Sequence, residues 1–171
     1  IEGRLLTGQT ENEVTIGGAA TETFDTQRTF ASIKVAGQLN YGDLVLTPSL
    51  TASHLRDVQD AFVNTLGTTV AAQSIEVNSL AAGLNVAQPV SLPNGELMLP
   101  GGISGIWSSS EGTEFASSAT PASDGPRARI AFGASHTTAN GVVLSAGSFY
   151  DGIGLNDYES YGLDLGVQIQ F

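Results

Sequence analysis

Two histidines, His54 and His136, are the imidazoles this chain offers as bases or metal ligands. Ser135 precedes His136, and a hydroxyl beside an imidazole suits nucleophilic catalysis when the two converge. Neighbouring residues of a strand point to opposite faces, so this pair would need a bulge to meet. The stretch "DGIGLNDYE" gathers Asp151, Asn156, Asp157 and Glu159, a density of oxygen ligands that could hold calcium. Its spacing fails the twelve-residue calcium loop, and acidic loops are ordinarily solvated surface, so no metal is assigned. Neither histidine has a partner at i+2 or i+4, and HExxH, GxSxG, P-loop and complete GxGxxG patterns are absent. Arg127 and Arg129 share a strand face and could pair with Asp164 or Glu96. The expectation is therefore no catalytic residue, no cofactor, no metal and no enzyme activity.

The bulk composition narrows the partners. The 171 residues suffice for about one domain. Lys plus Arg number 6 against 17 Asp plus Glu, a formal net charge of -11, which argues against nucleic acid and against a basic lipid-binding patch. Only 13% of residues are charged, half the usual fraction for a water-soluble surface, so much of the exterior is expected not to face water. Without cysteine there are no disulfides or thiolate metal sites. No run reaches the roughly 18 apolar residues of a transmembrane helix. No basic segment leads into an apolar run, so any leader peptide is taken to be already removed. Ile1-Glu2-Gly3-Arg4 matches a protease recognition sequence used in cloning, and residues 1–11 are set aside as a tail; 12–171 is read as one domain.

What must position any site is a set of strands. Alternation at period 2 recurs along the chain, and eight strands are expected at 12–22, 28–40, 43–56, 74–90, 95–108, 126–139, 141–151 and 159–171. Most exceed the usual five or six residues and match the 9–11 that cross a bilayer on a tilt. Tight turns at Tyr41-Gly42-Asp43, Pro93-Asn94-Gly95 and Asn140-Gly141 alternate with longer connections at 57–73, 109–125 and 152–158. Asn-Gly favours a two-residue type I′ turn. Short turns on one side and long loops on the other are the habit of an outer-membrane barrel, with the C-terminus on the short-turn side. In such a barrel the apolar face meets lipid and the polar face the lumen, and charges stay on the polar phase. Lys34, Arg129 and Asp164 do so, and Gln168 and Gln170 follow in the last strand. Trp107 and Tyr150 would mark the outer interface, Tyr41 the inner one. The fold class expected is all-β: an antiparallel up-and-down transmembrane β-barrel of about eight strands, possibly part of a twelve-stranded one.

The closing "YGLDLGVQIQF" resembles the C-terminal signature of outer-membrane barrel proteins, alternating apolar residues ending in Phe. By that resemblance Tyr161, Leu163, Leu165, Val167, Ile169 and Phe171 form the lipid face and the signal read by the barrel-assembly machinery. The chain further resembles the translocator domain of autotransporters, the type V secretion family. The matching stretches are "FDTQRTFASIKVAGQLNYGDLVLTPSLTASHLRDVQDAF", "SLAAGLNVAQPV" and "GELMLPGGISGIWSSSEG" with the hairpin and last strand that follow. The resemblance implies an anchor in the outer membrane of a Gram-negative bacterium that helps export an N-terminal passenger. That family's barrel has twelve strands with a helix threading the pore, whereas eight strands and no helix are expected here. Two other readings stand beside it: a small structural or adhesive outer-membrane barrel binding through its loops, and a soluble β-barrel or sandwich with its apolar face inward.

Overall fold

Glycine-marked reversals set the registers of the sheet. Gly42, at φ 61°, turns the chain between β3 (Leu39–Tyr41) and β4 (Leu44–Gln59). Pro93-Asn94 joins β7 (Gln73–Leu92) to β8 (Gly95–Gly112), with Leu92 opposite Gly95. The Asn140-Gly141 reversal differs from the expected two-residue turn. Thr138 N–H donates to the Val142 carbonyl at 2.8 Å, and Gly141 sits at φ 80°, so three residues form the loop. A left-handed glycine closing a three-residue loop matches strand twist as a two-residue I′ turn would.

The computed structural model describes all residues except 17–19, 65, 114–115, 118–122 and 170–171. Around those turns runs an antiparallel meander in the order β1-β2-β4-β7-β8-β9-β10-β11, with β3 added beside β4. The remaining members are β1 (Glu2–Ile16), β2 (Ala20–Ala36), β9 (Gly125–Thr138), β10 (Val143–Ile153) and β11 (Ser160–Gln168). The chain is thus all-β and up-and-down, with eight long strands. Among the described residues no ladder joins β1 to β11.

Two expected boundaries are corrected. Residues from Glu2 onward are not a tail: β1 pairs with β2 from Glu2↔Lys34 to Ile16↔Ala20. The strand expected at 12–22 straddles the end of β1 and the start of β2. The connection at 57–73 also holds a small hairpin, β5 (Phe62–Val63) with β6 (Thr69–Val70), whose Phe62 stacks on Phe24 of β2 at 5.2 Å.

Directly opposed residues share a face. One row reads Tyr161, Tyr150, Ile130, Ile103, Leu84, Pro48; the neighbouring row on the other face reads Gly162, Phe149, Ala131, Gly102, Asn85, Thr47. Among the described residues no hydrophobic side chain is buried. Leu163, Leu165 and Val167 are 74%, 77% and 70% exposed. A soluble sandwich would hide that face. The polar face is instead the concave one: six neighbouring strands line a hollow of about 550 Å³.

Candidate functional site

The apolar face is bounded. On β7 it runs from Leu80 to Val90, and on β8 from Leu97 to Trp107, with Leu80 opposite Trp107 and Val90 opposite Leu97. Gln88 interrupts it, and its amide folds back on the Pro89 carbonyl at 2.9 Å. Beyond Leu80 the same face turns to Asn78 and Glu76, and beyond Ala52 on β4 to His54 and Arg56. Ten residues rise about 33 Å along a strand.

The band is oblique to the hydrogen-bond rows. Tyr161 ends it on β11, and the row of Tyr161 meets β7 at Leu84, whereas the band on β7 continues to Leu80. Four residues gained over four strand steps is about 13 Å along against about 19 Å across, a slant of roughly 35°. Over these five strands the apolar residues thus follow a line oblique to the rows, and measured square to that line the rise reduces to about 27 Å, close to the ~25 Å that membrane barrels present; from β7 to β2 the edge stays on one row, Leu80, Ala52 and Ile33. Trp107, Tyr150 and Tyr161 sit at its loop-side end, where Tyr150 Oη donates to Glu159 at 3.4 Å. Tyr41, 82% exposed, lies at the turn-side end.

On the polar face glycines make room for neighbours' side chains. Phe149 lies across Gly162, where an added Cβ would stand 2.5 Å from the ring. The guanidinium of Arg129 covers the same ring at 4.0 Å. Asp164 lies over Gly147, where a Cβ would meet its carboxylate at 2.5 Å. An aromatic ring laid over a strand glycine shields backbone that the missing side chain would leave bare.

The tightest polar cluster lies loop-ward of this hollow. Arg127 Nε donates to Asp151 Oδ1 at 3.0 Å, and Nη1 to Ser108 Oγ at 2.8 Å and the Ser123 carbonyl at 3.0 Å. Its guanidinium also stands 5.3 Å from the centre of the Tyr158 ring. The pair is 11% and 7% exposed, low enough that each charge depends on the other. Asp151 reaches Arg127 because the ladder slips at Asp151/Ile153, where Gly152 takes φ 112°.

The residues expected to carry function separate cleanly by face. Lys34, Arg129, Asp164 and Gln168 share the polar face, and Tyr161, Leu163, Leu165 and Val167 the apolar one. Ile169 follows the end of β11 and is 60% exposed. Phe171 and Gln170 lie outside the described residues. Ser135 opposes Ser145 and Met98 while His136 opposes Leu144 and Leu97, so the two occupy opposite faces. Arg127 pairs with neither Asp164 nor Glu96 but with Asp151, one of the oxygens considered for calcium. "YDGIG" held the signal, since glycine inside a strand often marks a bulge.

No protein-family model matches the chain, and no curated relative matches it either. Among solved structures it is similar to the "Crystal structure of the outer membrane enzyme PagL", at 14% identity and a TM-score of 0.31, over 98% of this chain and 100% of that one. That neighbour is an enzyme, so the expectation that a chain of this kind has no enzyme activity is withdrawn. At such a score the likeness assigns no reaction to this chain.

Proposed function

We propose that this sheet is wall of an outer-membrane β-barrel, with its apolar face toward acyl chains and its polar face toward the lumen. The observation that carries the reading is the oblique apolar band, about 27 Å tall with aromatics at its ends. A core-facing surface in water has no reason to be level across tilted strands. In this role Lys34, Arg129, Asp164, Gln168 and Gln170 line the lumen, and Tyr161, Leu163, Leu165, Val167, Ile169 and Phe171 present the lipid face and the assembly signal.

The finer role is that of a translocator that anchors and helps export an N-terminal passenger, with the barrel-assembly machinery as its folding partner. The resemblance of the closing strand and of the Phe24–Phe62 stretch to autotransporter translocators supports it. So does the hollow polar face, since a closed eight-stranded barrel has an interior filled by side chains. Among the described residues the outer edges of β1 and β11 have no ladder partner, and in hydrocarbon each unsatisfied backbone group costs several kcal/mol. Further strands between them would widen the barrel toward a conduit.

The single tryptophan, Trp107, makes the first part testable. Refolded into vesicles, the protein should have its fluorescence quenched by acyl-brominated lipids. A protein that stays monomeric in water without detergent, its tryptophan untouched by those lipids, overturns the reading. For the second part, an epitope-tagged passenger joined ahead of Glu2 should become protease-accessible on the surface of intact cells. Retention inside, with the barrel correctly inserted, would remove the translocator role.

A further inference from the structure

The apolar band is not uniform at its loop-side end. Between β2 and β8 an open groove of about 470 Å³ is floored by Ile33, Ala52, Leu80 and Trp107. It exists because Ala52 and Ala31 are small where their neighbours are bulky. Directly loop-ward stand His54 and Asn78, joined through Nδ1 and Oδ1 at 2.8 Å, with Glu76 Oε1 3.8 Å from the same ring nitrogen. One residue pair further, a single row holds Arg56, Glu76 and Glu111.

The placement of Arg56 is singular. Of the 6 Lys and Arg residues, Arg4, Arg28, Lys34, Arg127 and Arg129 lie on the polar face. Arg56 alone lies on the apolar one, beyond the groove's end. In that row Thr29 lies on one side of Arg56 and Glu76, then Glu111, on the other, so a cation stands one strand spacing from a carboxylate, and such a row complements a group bearing both signs better than a simple anion. We infer that this groove holds one acyl chain of a phospholipid whose phosphoethanolamine headgroup lies on the Arg56–Glu76–Glu111 row. The phosphate faces Arg56, and the primary ammonium donates to the carboxylates, which a quaternary ammonium cannot do. The inference rests on the membrane-wall reading and adds to it a defined occupant.

Trp107 lines the groove and reports on it. The full chain is refolded into phosphatidylcholine vesicles doped with a small fraction of acyl-brominated phosphatidylethanolamine, phosphatidylcholine or phosphatidylglycerol. Quenching by the ethanolamine lipid should indicate local enrichment of roughly threefold over the choline lipid, the size one exposed ion pair supplies. Arg56→Ala, Glu76→Gln and Ala52→Leu, the last filling the groove, should each remove the preference while leaving ordinary quenching in place. Equal quenching by all headgroups, preference for the glycerol lipid, or a preference indifferent to these variants overturns the inference and leaves the membrane wall standing. Absence of quenching by any brominated lipid removes the membrane wall itself, and the groove's occupant with it.

Discussion

Among the described residues two arginine–aspartate pairs lie on the polar face, and they are unequal. Arg28 and Asp57 are directly opposed on β2 and β4, bonded through Nε at 2.9 Å, yet 62% and 27% exposed. Arg127 and Asp151 are offset by a bulge, carry further bonds to Ser108 and Ser123, and are 11% and 7% exposed. Water already solvates the first pair, so joining it gains about 0–1 kcal/mol. In the second, two charges have left water, and each is stable only beside its partner. What differs is the surroundings, since contact distance hardly does. The loops after β8 and β10 converge on Arg127, whereas β2 continues beyond its ladder with β4 as a two-stranded ribbon with β1.

Arg127→Ala should sharpen that contrast most. It strands Asp151 in a dry setting, and the expected cost is about 3–5 kcal/mol in denaturant unfolding of the lipid-refolded protein. Arg28→Ala should cost at most about 1 kcal/mol in the same assay. Equal losses would mean the exposed pair is as desolvated as the buried one. Next in size is Leu165→Arg, which sets a charge in the middle of the apolar face of β11 and should cost about 2–4 kcal/mol at the bilayer midplane. Gln168→Arg, on the polar face, should be nearly silent. The reverse order would turn the sheet inside out.

How much of this was legible in the sequence depended on what varied along it. Period-2 alternation marked β4 and the long strands β7 to β11, though not the short β5 and β6, and sorted Leu165 from Asp164, because bulk apolar and polar residues alternate there. It failed at β1, where Thr7, Gln9, Glu11 and Glu13 on one face and Gly8, Thr10 and Asn12 on the other are polar or small. A strand exposed on both faces leaves no periodic trace, and "IEGR" matches a cloning remnant although all of it but Ile1 lies in β1. The partner of Arg127 was hidden differently. Alternation puts Asp151 in register with Arg129, and only the slip after it, permitted by Gly152, brings it to Arg127. Asn140-Gly141 announced a reversal correctly but not the loop length, which the bond between Thr138 and Val142 decides.

The bulge gives the third prediction. At Gly152 an added Cβ would lie 2.3 Å from the Tyr158 carbonyl, and φ 112° disfavours any L side chain. Gly152→Ala should therefore cost about 1–3 kcal/mol. It should also be non-additive with Asp151→Asn, since both act on one junction. Additive effects would show that the bulge and the ion pair are independent.

The smallest effect is expected in the ribbon. Asn12 Nδ2 donates to Thr26 Oγ1 at 3.1 Å and to the Thr10 carbonyl at 3.3 Å, where the β2–β4 ladder ends at Thr26↔Gln59. Both bonds exchange readily with water, so Asn12→Ala should change stability by less than about 0.5 kcal/mol. Amide exchange should agree: protons of Glu11–Ile16 should open locally, while those of β9 and β10 around Arg127 should open only with global unfolding. If Asn12→Ala instead costs as much as Arg127→Ala, or the ribbon is protected as long as β9, the ribbon belongs to the same cooperative unit. The difference between the two arginine–aspartate pairs would then have to come from something other than their surroundings.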